Sequence, residues 1–359
     1  MKSFSSFFSG LQASTGKPAI VGIDMGSSSI KVVELQEQKG VLTLVTYGEI
    51  QLGPYVSKEV GQSVVLTAKQ EQEALVDVIR ESAVTARNAV FAMPLASSFV
   101  TNASIEADKN ADISALVRVE ARKVIPASLS EVTLDWAEMD FEKNKELSHK
   151  REVLIAAIQN SALERFKVLM QFAGINEPPT EIECFSAIRA LHKDSGENIA
   201  IIDIGATSTK LYIAKKGLLM RMHRIRTGGA SATNRIASIL NIDFEAAEIK
   251  KREADPKSTD YADIKRAHNS NYDRAFRELG QVMQEYEEKN SIKLETVYLS
   301  GGGALFPGMD VILHDNLNRE VLQTNAFSKV AYPAFMQDTM KEISPSFTVA
   351  LGAALRAFE

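Results

Sequence analysis

Gly22-Ile23-Asp24-Met25-Gly26-Ser27-Ser28-Ser29-Ile30-Lys31 and Ile202-Asp203-Ile204-Gly205-Ala206-Thr207-Ser208-Thr209-Lys210 follow one pattern. Each has an apolar run, then Asp-x-Gly, three small or hydroxylic residues, and x-Lys. Asp24, Gly26 and Lys31 match Asp203, Gly205 and Lys210 at one constant offset, close to half of the 359-residue chain. A repeat of so long a period predicts two related halves instead of a solenoid. Both copies read as β-hairpins. Residues 19–25 and 199–204 are apolar strands, the small residues turn, and the chain returns through 30–35 and 210–214. A third strand follows each copy, at 42–47 and 218–223, and helical spacing then appears at Ala74-Val78-Ile79 and Ile236-Ile239-Leu240. The same order in duplicate describes two α/β halves of like topology.

The material between the halves differs. Residues 112–124 read as an amphipathic helix through Ile113, Val117, Ala121 and Val124, with Pro126 just past its end. Strands at 132–141 and 151–158 flank a charged connection, 142–150, which reads as a solvated hairpin tip. In the second half, 252–273 is poor in apolar residues and reads as exposed loop and helix-cap material. Helical spacing resumes over 274–289 through Phe276, Leu279, Met283 and Tyr286. These breaks divide the chain into an N-terminal tail (1–17), a first lobe in two parts (18–88, and 162–198 with the link), and a subdomain inserted between them (89–161). The second lobe has core segments 199–230 and 296–359 around an outer subdomain, 231–295. In the tail, Phe4, Phe7, Phe8 and Leu11 fall at i, i+3, i+4, i+7, which fits a disordered tail, a flap docked on the body, or a weak membrane or partner contact.

Composition narrows the function classes. A 45% hydrophobic and 24% charged chain is an ordinary globular one, so neither disorder nor a membrane-embedded class applies. The net charge of −5 leaves no electrostatic footprint for non-specific nucleic-acid binding. A single cysteine, Cys184, excludes an internal disulfide framework and a cysteine-rich zinc site, and the five histidines are scattered. No stretch approaches the roughly 20 apolar residues of a transmembrane helix.

An Asp ending an apolar strand, followed by Gly and hydroxylic residues, has a specific chemical use. The turn exposes backbone N–H groups that cradle phosphate oxygens, because Gly and small side chains permit close approach. The Asp can hold Mg²⁺ through water, and the lysine adds a point charge. Two such turns facing each other clamp phosphates from both sides. A third element is Val297-Tyr298-Leu299-Ser300-Gly301-Gly302-Gly303-Ala304-Leu305-Phe306-Pro307-Gly308, a strand entering a glycine turn and then a helix with Pro307 near its first position. Glycines there let a base and ribose lie on backbone, with Leu305 and Phe306 available to cover a face. Glu183, just before the second half, is either a surface acid on an edge strand or a carboxylate that orients an attacking water. Glu248 and Lys251 share one helix face, either as a ribose grip or as a solvated ion pair.

Together the two phosphate turns, the linking helix after Glu183, the glycine-rich turn and a final helix containing Gly352 resemble the ATPase superfamily of actin, hexokinase and the heat-shock chaperones. The resemblance covers nearly the whole chain. The stretches Glu120-Ala121-Arg122-Lys123-Val124-Ile125-Pro126, Glu131-Val132-Thr133-Leu134-Asp135-Trp136 and Ser344 to Arg356 are similar to the PilM family, the actin-like proteins of type IV pilus assembly. This resemblance implies an α/β, actin-like ATPase fold: two ribonuclease-H-like lobes flank a nucleotide cleft, with a small α+β subdomain inserted in the first lobe. It implies ATP and Mg²⁺ as cofactors, with Asp24 and Asp203 toward the metal. Gly26, Ser27, Ser28, Ser29 and Lys31 would form the first phosphate site and Gly205, Ala206, Thr207 and Ser208 the second. Gly301, Gly302, Gly303 and Leu305 would hold adenosine, Glu248 and Lys251 the ribose, and Glu183 stands where relatives place the water-orienting residue. It further implies a location on the cytoplasmic face of the inner membrane, and a groove beside the insertion for the N-terminal cytoplasmic peptide of a bitopic, PilN-like partner.

Two other classes of the superfamily compete. A cell-division actin of the FtsA type would append a linker and an amphipathic helix, whereas this sequence stops at Glu359 after the last helix of the fold. A sugar or acetate kinase needs a small-molecule pocket with a deep catalytic carboxylate, and no motif for one appears. The expected protein is a nucleotide-binding assembly scaffold with at most slow ATP hydrolysis.

Overall fold

The computed structural model describes residues 18–108, 111–139, 150–176, 179–192 and 198–359. The expected hairpin tip at 142–150 and the Phe-rich tail lie outside the described residues, except for Lys150, which opens a strand. The first half contains β1 (Ile20–Met25), β2 (Ser29–Gln38), β3 (Val41–Gln51), α1 (Ala68–Glu81) and β4 (Asn88–Met93). The insertion follows as β5 (Ser98–Glu106), α2 (Ser114–Val124), β6 (Val132–Glu138) and β7 (Lys150–Gln159). The first lobe then resumes with α3 (Asn160–Phe172), β8 (Thr180–Ile182) and the linking α4 (Glu183–Leu191). The second half has β9 (Asn198–Ile204), β10 (Thr209–Lys215), β11 (Leu218–Ile225), α5 (Gly229–Leu240), α6 (Phe244–Arg252), α7 (Tyr261–Asn290), β12 (Thr296–Ser300), α8 (Met309–Leu317), β13 (Glu320–Gln323) and α9 (Gln337–Leu355).

The repeat in sequence is a repeat in topology. One sheet has the order β3-β2-β1-β4-β8 and the other β11-β10-β9-β12-β13. In both, the first three strands are antiparallel neighbours and the last two join in parallel. Parallel strands need a crossover, and sheets so built are covered on both faces. The strands β1 and β9 accordingly read as near-continuous apolar runs and are buried along almost their whole length. Between the two sheets lies a layer formed by α4 and α9, with Ile188, Phe347 and Leu351 in one core together with Val32 of the first sheet and Tyr212 of the second. The second lobe has its own core, where Ile202, Leu211 and Leu299 meet Ile236 of α5 and Phe276, Leu279 and Met283 of α7. The insertion is a separate three-stranded sheet, β5-β7-β6, with α2 on one face through Ile113, Val117 and Ala121.

Three expectations need correction. The stretch 252–273 is mostly helix: α7 begins at Tyr261 and buries Ile264, Ala267, His268 and Tyr272. Residues 89–93, assigned to the insertion, belong to β4, which pairs with β1 and β8 in the sheet of the first lobe. The final helix, assigned to the second lobe, packs mainly on β1, β2 and α4, so residues after 336 complete the core of the first lobe. The last two share a root, since the chain passes from one unit to another where local periodicity gives no sign of it.

Candidate nucleotide cleft

The paired hairpins define the site. In the first, Asp24 sits opposite Lys31; in the second, Asp203 sits opposite Lys210. The Gly26 N–H donates to Ser29 O at 2.9 Å and the Gly205 N–H to Ser208 O at 2.9 Å, so both turns close with the same bond. The tips face each other, with Ser27 Oγ and Thr207 Oγ1 3.4 Å apart. Around them lies a cleft of about 560 Å³, within the size range of nucleotide and drug-sized ligand sites. Every site residue singled out from the sequence lines it.

Charge is tightly paired at the phosphate end. Lys31 Nζ donates to Ser29 Oγ at 2.8 Å and meets Glu49 Oε1 at 3.1 Å. Burial works most strongly, to raise the Glu49 carboxyl, but Lys31, the Ser29 hydroxyl and Arg252 together outweigh it and hold the group below its usual range. Lys210 Nζ donates to Glu183 Oε2 at 2.6 Å and to Asp203 Oδ2 at 3.1 Å. Burial opposes its charge, yet Asp203 and Glu183 prevail and keep the ammonium protonated well above the ordinary lysine range. Asp24 fares differently: burial pushes its carboxyl up to about 6, Lys31 pulling down and the nearby Glu183 adding to the rise. Glu183 is 7% exposed and its other oxygen accepts the Leu95 N–H at 2.8 Å, which rules out the surface-acid reading.

At the other end, Gly301 takes φ +86°, and a Cβ there would stand 2.3 Å from Asp203 Oδ1. Its N–H donates to Pro345 O at 2.8 Å, which ties the glycine turn to α9. Nothing lies within 4 Å of a Cβ built on Gly302, so that face is open to the cleft. Leu305 is 43% exposed there, whereas Phe306 lines the cleft as a buried ring stacked 3.7 Å from His268. The glycine turn is a 3₁₀ turn, Gly302–Leu305, and the helix expected near Pro307 opens just past it, as α8 from Met309. Glu248 and Lys251 do not form a solvated pair. Glu248 is 4% exposed and accepts from Lys251 Nζ (2.6 Å), Thr233 Oγ1 (2.5 Å) and Arg252 Nε (2.6 Å).

Several groups in or behind the cleft wall escaped the sequence reading. Glu49 was legible in principle, because the β2–β3 register sets it directly opposite Lys31. Thr233, which ties Glu248 to Lys251, and His268 had no local signal, being brought in by α5 and α7. Burial and the nearby Lys251 push the His268 imidazole down to about 3, so it is neutral at physiological pH. The insertion offers a separate cavity of about 810 Å³ on its side toward the second lobe, lined by Val100, Met139, Met220, Met222 and Tyr286. Its seam with the first lobe, by contrast, is filled by Leu154, Ala156 and Ile158.

Two lobes of one topology, joined by shared helices and meeting at twin Asp-x-Gly turns, define an actin-like fold. Residues 22–358 match the family described as type IV pilus assembly protein PilM, and the chain belongs to that family. Among solved structures, a PilM–PilN type IV pilus biogenesis complex superposes with a TM-score of 0.79 at 24% identity, covering 95% of this chain and 98% of that one. The ethanolamine utilization protein EutJ from Carboxydothermus hydrogenoformans matches at 0.59 and 17%, over 96% and 92% of the two chains. MreB5 of Spiroplasma citri bound to ADP matches at 0.52 and 12%, over 90% and 98%. Among the described residues, no helix is long and apolar enough to cross a membrane.

Proposed function

We propose that this chain is an ATP-binding scaffold of the pilus inner-membrane platform, and that its inserted subdomain takes the N-terminal cytoplasmic peptide of a PilN-like membrane partner. The observation that carries the nucleotide half is the mirrored pair of Asp-x-Gly turns, 3.4 Å apart at their tips across one cleft. The ADP-bound MreB5 of the same fold supports that half, and the solved complex of PilM with PilN supports the docking half. Backbone N–H groups of both turns, Ser27, Ser28, Thr207 and Ser208 would hold the phosphates, Gly301 to Gly303 and Leu305 the adenosine, and Glu248 and Lys251 the ribose. Among the described residues no set of three or more acidic, His or Cys side chains is arranged to grip a metal. Asp24 and Asp203 therefore suit Mg²⁺ held on phosphate oxygens and reached through water, where it would neutralise phosphate charge. The chain reaches the membrane through its partner.

The test is titration calorimetry with ATP and Mg²⁺, alone and with a synthetic peptide of the PilN-like partner's cytoplasmic segment. Both ligands should bind, and amides of β5, β6 or β7 should be protected by the peptide. An absence of ATP binding would refute the nucleotide half, and protection confined to the lobes would refute the docking half. Turnover should be slow. If Glu183 orients the water, Glu183→Ala keeps ATP affinity within a few fold and removes the residual hydrolysis, by an amount typical of losing one positioned catalytic group, about 10²-fold or more. Equal hydrolysis in the variant would take Glu183 out of that role.

A further inference from the structure

Glu183 is where three parts of the chain meet. It opens the linking helix α4; its Oε1 accepts the Leu95 N–H at 2.8 Å, and its Oε2 accepts Lys210 Nζ of the second lobe at 2.6 Å. Lys210 also reaches Asp203 Oδ2 at 3.1 Å, at the second phosphate turn. Leu95 begins the 3₁₀ turn Leu95–Ser97, which leads directly into β5, the first strand of the insertion. The hydroxyls of Ser97 and Ser98 both donate to Pro94 O, at 3.0 and 3.1 Å, so turn and strand are fastened together at this root. Pro94 and Ala96 themselves line the cleft. The sequence from phosphate turn to inserted subdomain is therefore continuous: Asp203, Lys210, Glu183, Leu95, β5.

We infer that Lys210 is a positioning residue that reports the phosphate end of the cleft to the inserted subdomain through Glu183 and the Leu95 amide. This deepens the proposed function, on which it rests, by naming how nucleotide state regulates the docking subdomain. An ammonium has three donors, and here Asp203 and Glu183 share them. Phosphate oxygens arriving at the second turn compete for the same donors. Glu183 then loses part of its fixed partner, and the carboxylate that anchors Leu95 is free to re-aim. Charge-assisted bonds in a buried site are strong enough to transmit such a change, because leaving either partner unsatisfied is costly. A nucleoside diphosphate, whose phosphates end short of a γ-phosphate position, makes less of this competition.

The experiment is hydrogen–deuterium exchange on the full chain, with no nucleotide, saturating ADP or saturating AMPPNP. Amides of residues 95–106 should differ between ADP and AMPPNP by roughly fivefold or more, the low end of ordinary allosteric coupling. Segment 26–31 serves as the binding control and should be protected by both nucleotides in every variant. Lys210→Met gives up one phosphate contact, so its affinity should fall. With nucleotide raised until 26–31 is protected as in the wild type, it should lose the difference at 95–106, and Lys210→Arg should restore most of it. Glu183→Gln, which retains an acceptor for Leu95 while weakening the link to Lys210, should also lose it. The inference is overturned if the difference persists in Lys210→Met or Glu183→Gln. It is equally overturned if the wild type shows no difference while 26–31 is protected, or if Lys210→Met no longer binds AMPPNP, which would make Lys210 a phosphate ligand only. Failure of 26–31 to respond to any nucleotide in the wild type would instead refute the nucleotide cleft itself.

Discussion

Gly352→Ala is expected to destabilise the protein by about 3 kcal/mol or more, the upper end of what overpacking a core costs. A Cβ at this position of α9 would stand 1.9 Å from the carbonyl oxygen of Ser186 in α4. The obstructing atom is backbone, so no rotamer change relieves the clash and the two helices must separate. That separation reaches the site. Helix α4 begins with Glu183, and α9 carries the Pro345 carbonyl that accepts the Gly301 N–H. Denaturant unfolding should thus show a large drop in midpoint, together with weakened ATP affinity in whatever remains folded. Gly302→Ala makes the contrasting case: nothing lies within 4 Å of its Cβ, so stability should stay within about 0.5 kcal/mol while ATP affinity falls. Wild-type stability in Gly352→Ala would show that α4 and α9 can part at little cost, against the close backbone approach at Ser186.

The halves and their turns were legible because both signals are local. Alternating or continuous apolar runs around Asp-x-Gly fix hairpins, and the duplicated pattern predicts the duplicated sheet order that the structure has. Helix α7 was half missed for a physical reason. Its first turns bury Ala267, His268 and Tyr272 among Lys265, Arg266 and Asn271, so the buried stripe carries little hydrophobic contrast. Pro345 sits inside α9, where its residue type alone would end a helix and tertiary packing on both sides holds it together. In the site, residues adjacent in a hairpin were found, and residues delivered by remote helices were not. Thr233 and Glu248 lie on different helices and meet only in the fold, at 2.5 Å. The Leu95–Glu183 bond joins positions 88 apart, and no spacing rule connects them.

Asp24→Asn should stabilise the empty protein at neutral pH and abolish its response to nucleotide. Burial holds the Asp24 carboxyl at about 6 against the 3.8 of an ordinary aspartate, so the folded state binds this proton more tightly than the unfolded chain does. The favourable contribution is therefore complete below pH ~4 and is lost as pH rises through about 6. A shift of this size corresponds to roughly 3 kcal/mol at most, and to less at the partly open cleft wall where Asp24 stands, for keeping a desolvated carboxylate ionised. Asparagine has nothing to ionise. Its advantage over the wild type in chemical denaturation should accordingly be near zero at pH ~4, grow as pH rises toward neutrality, and level off above. With ATP and Mg²⁺ that advantage closes. Ligand at about 100 times its Kd stabilises the wild type by about 2.7 kcal/mol, and the variant, lacking the charge that the metal-bound phosphates need opposite Lys31, should gain little or nothing. Opposite signs in the two measurements are what a strained binding group produces, because a purely structural residue would lose stability in both. An apo stability that falls in Asp24→Asn at neutral pH would refute the burial argument, and an undiminished nucleotide response would remove Asp24 from the site.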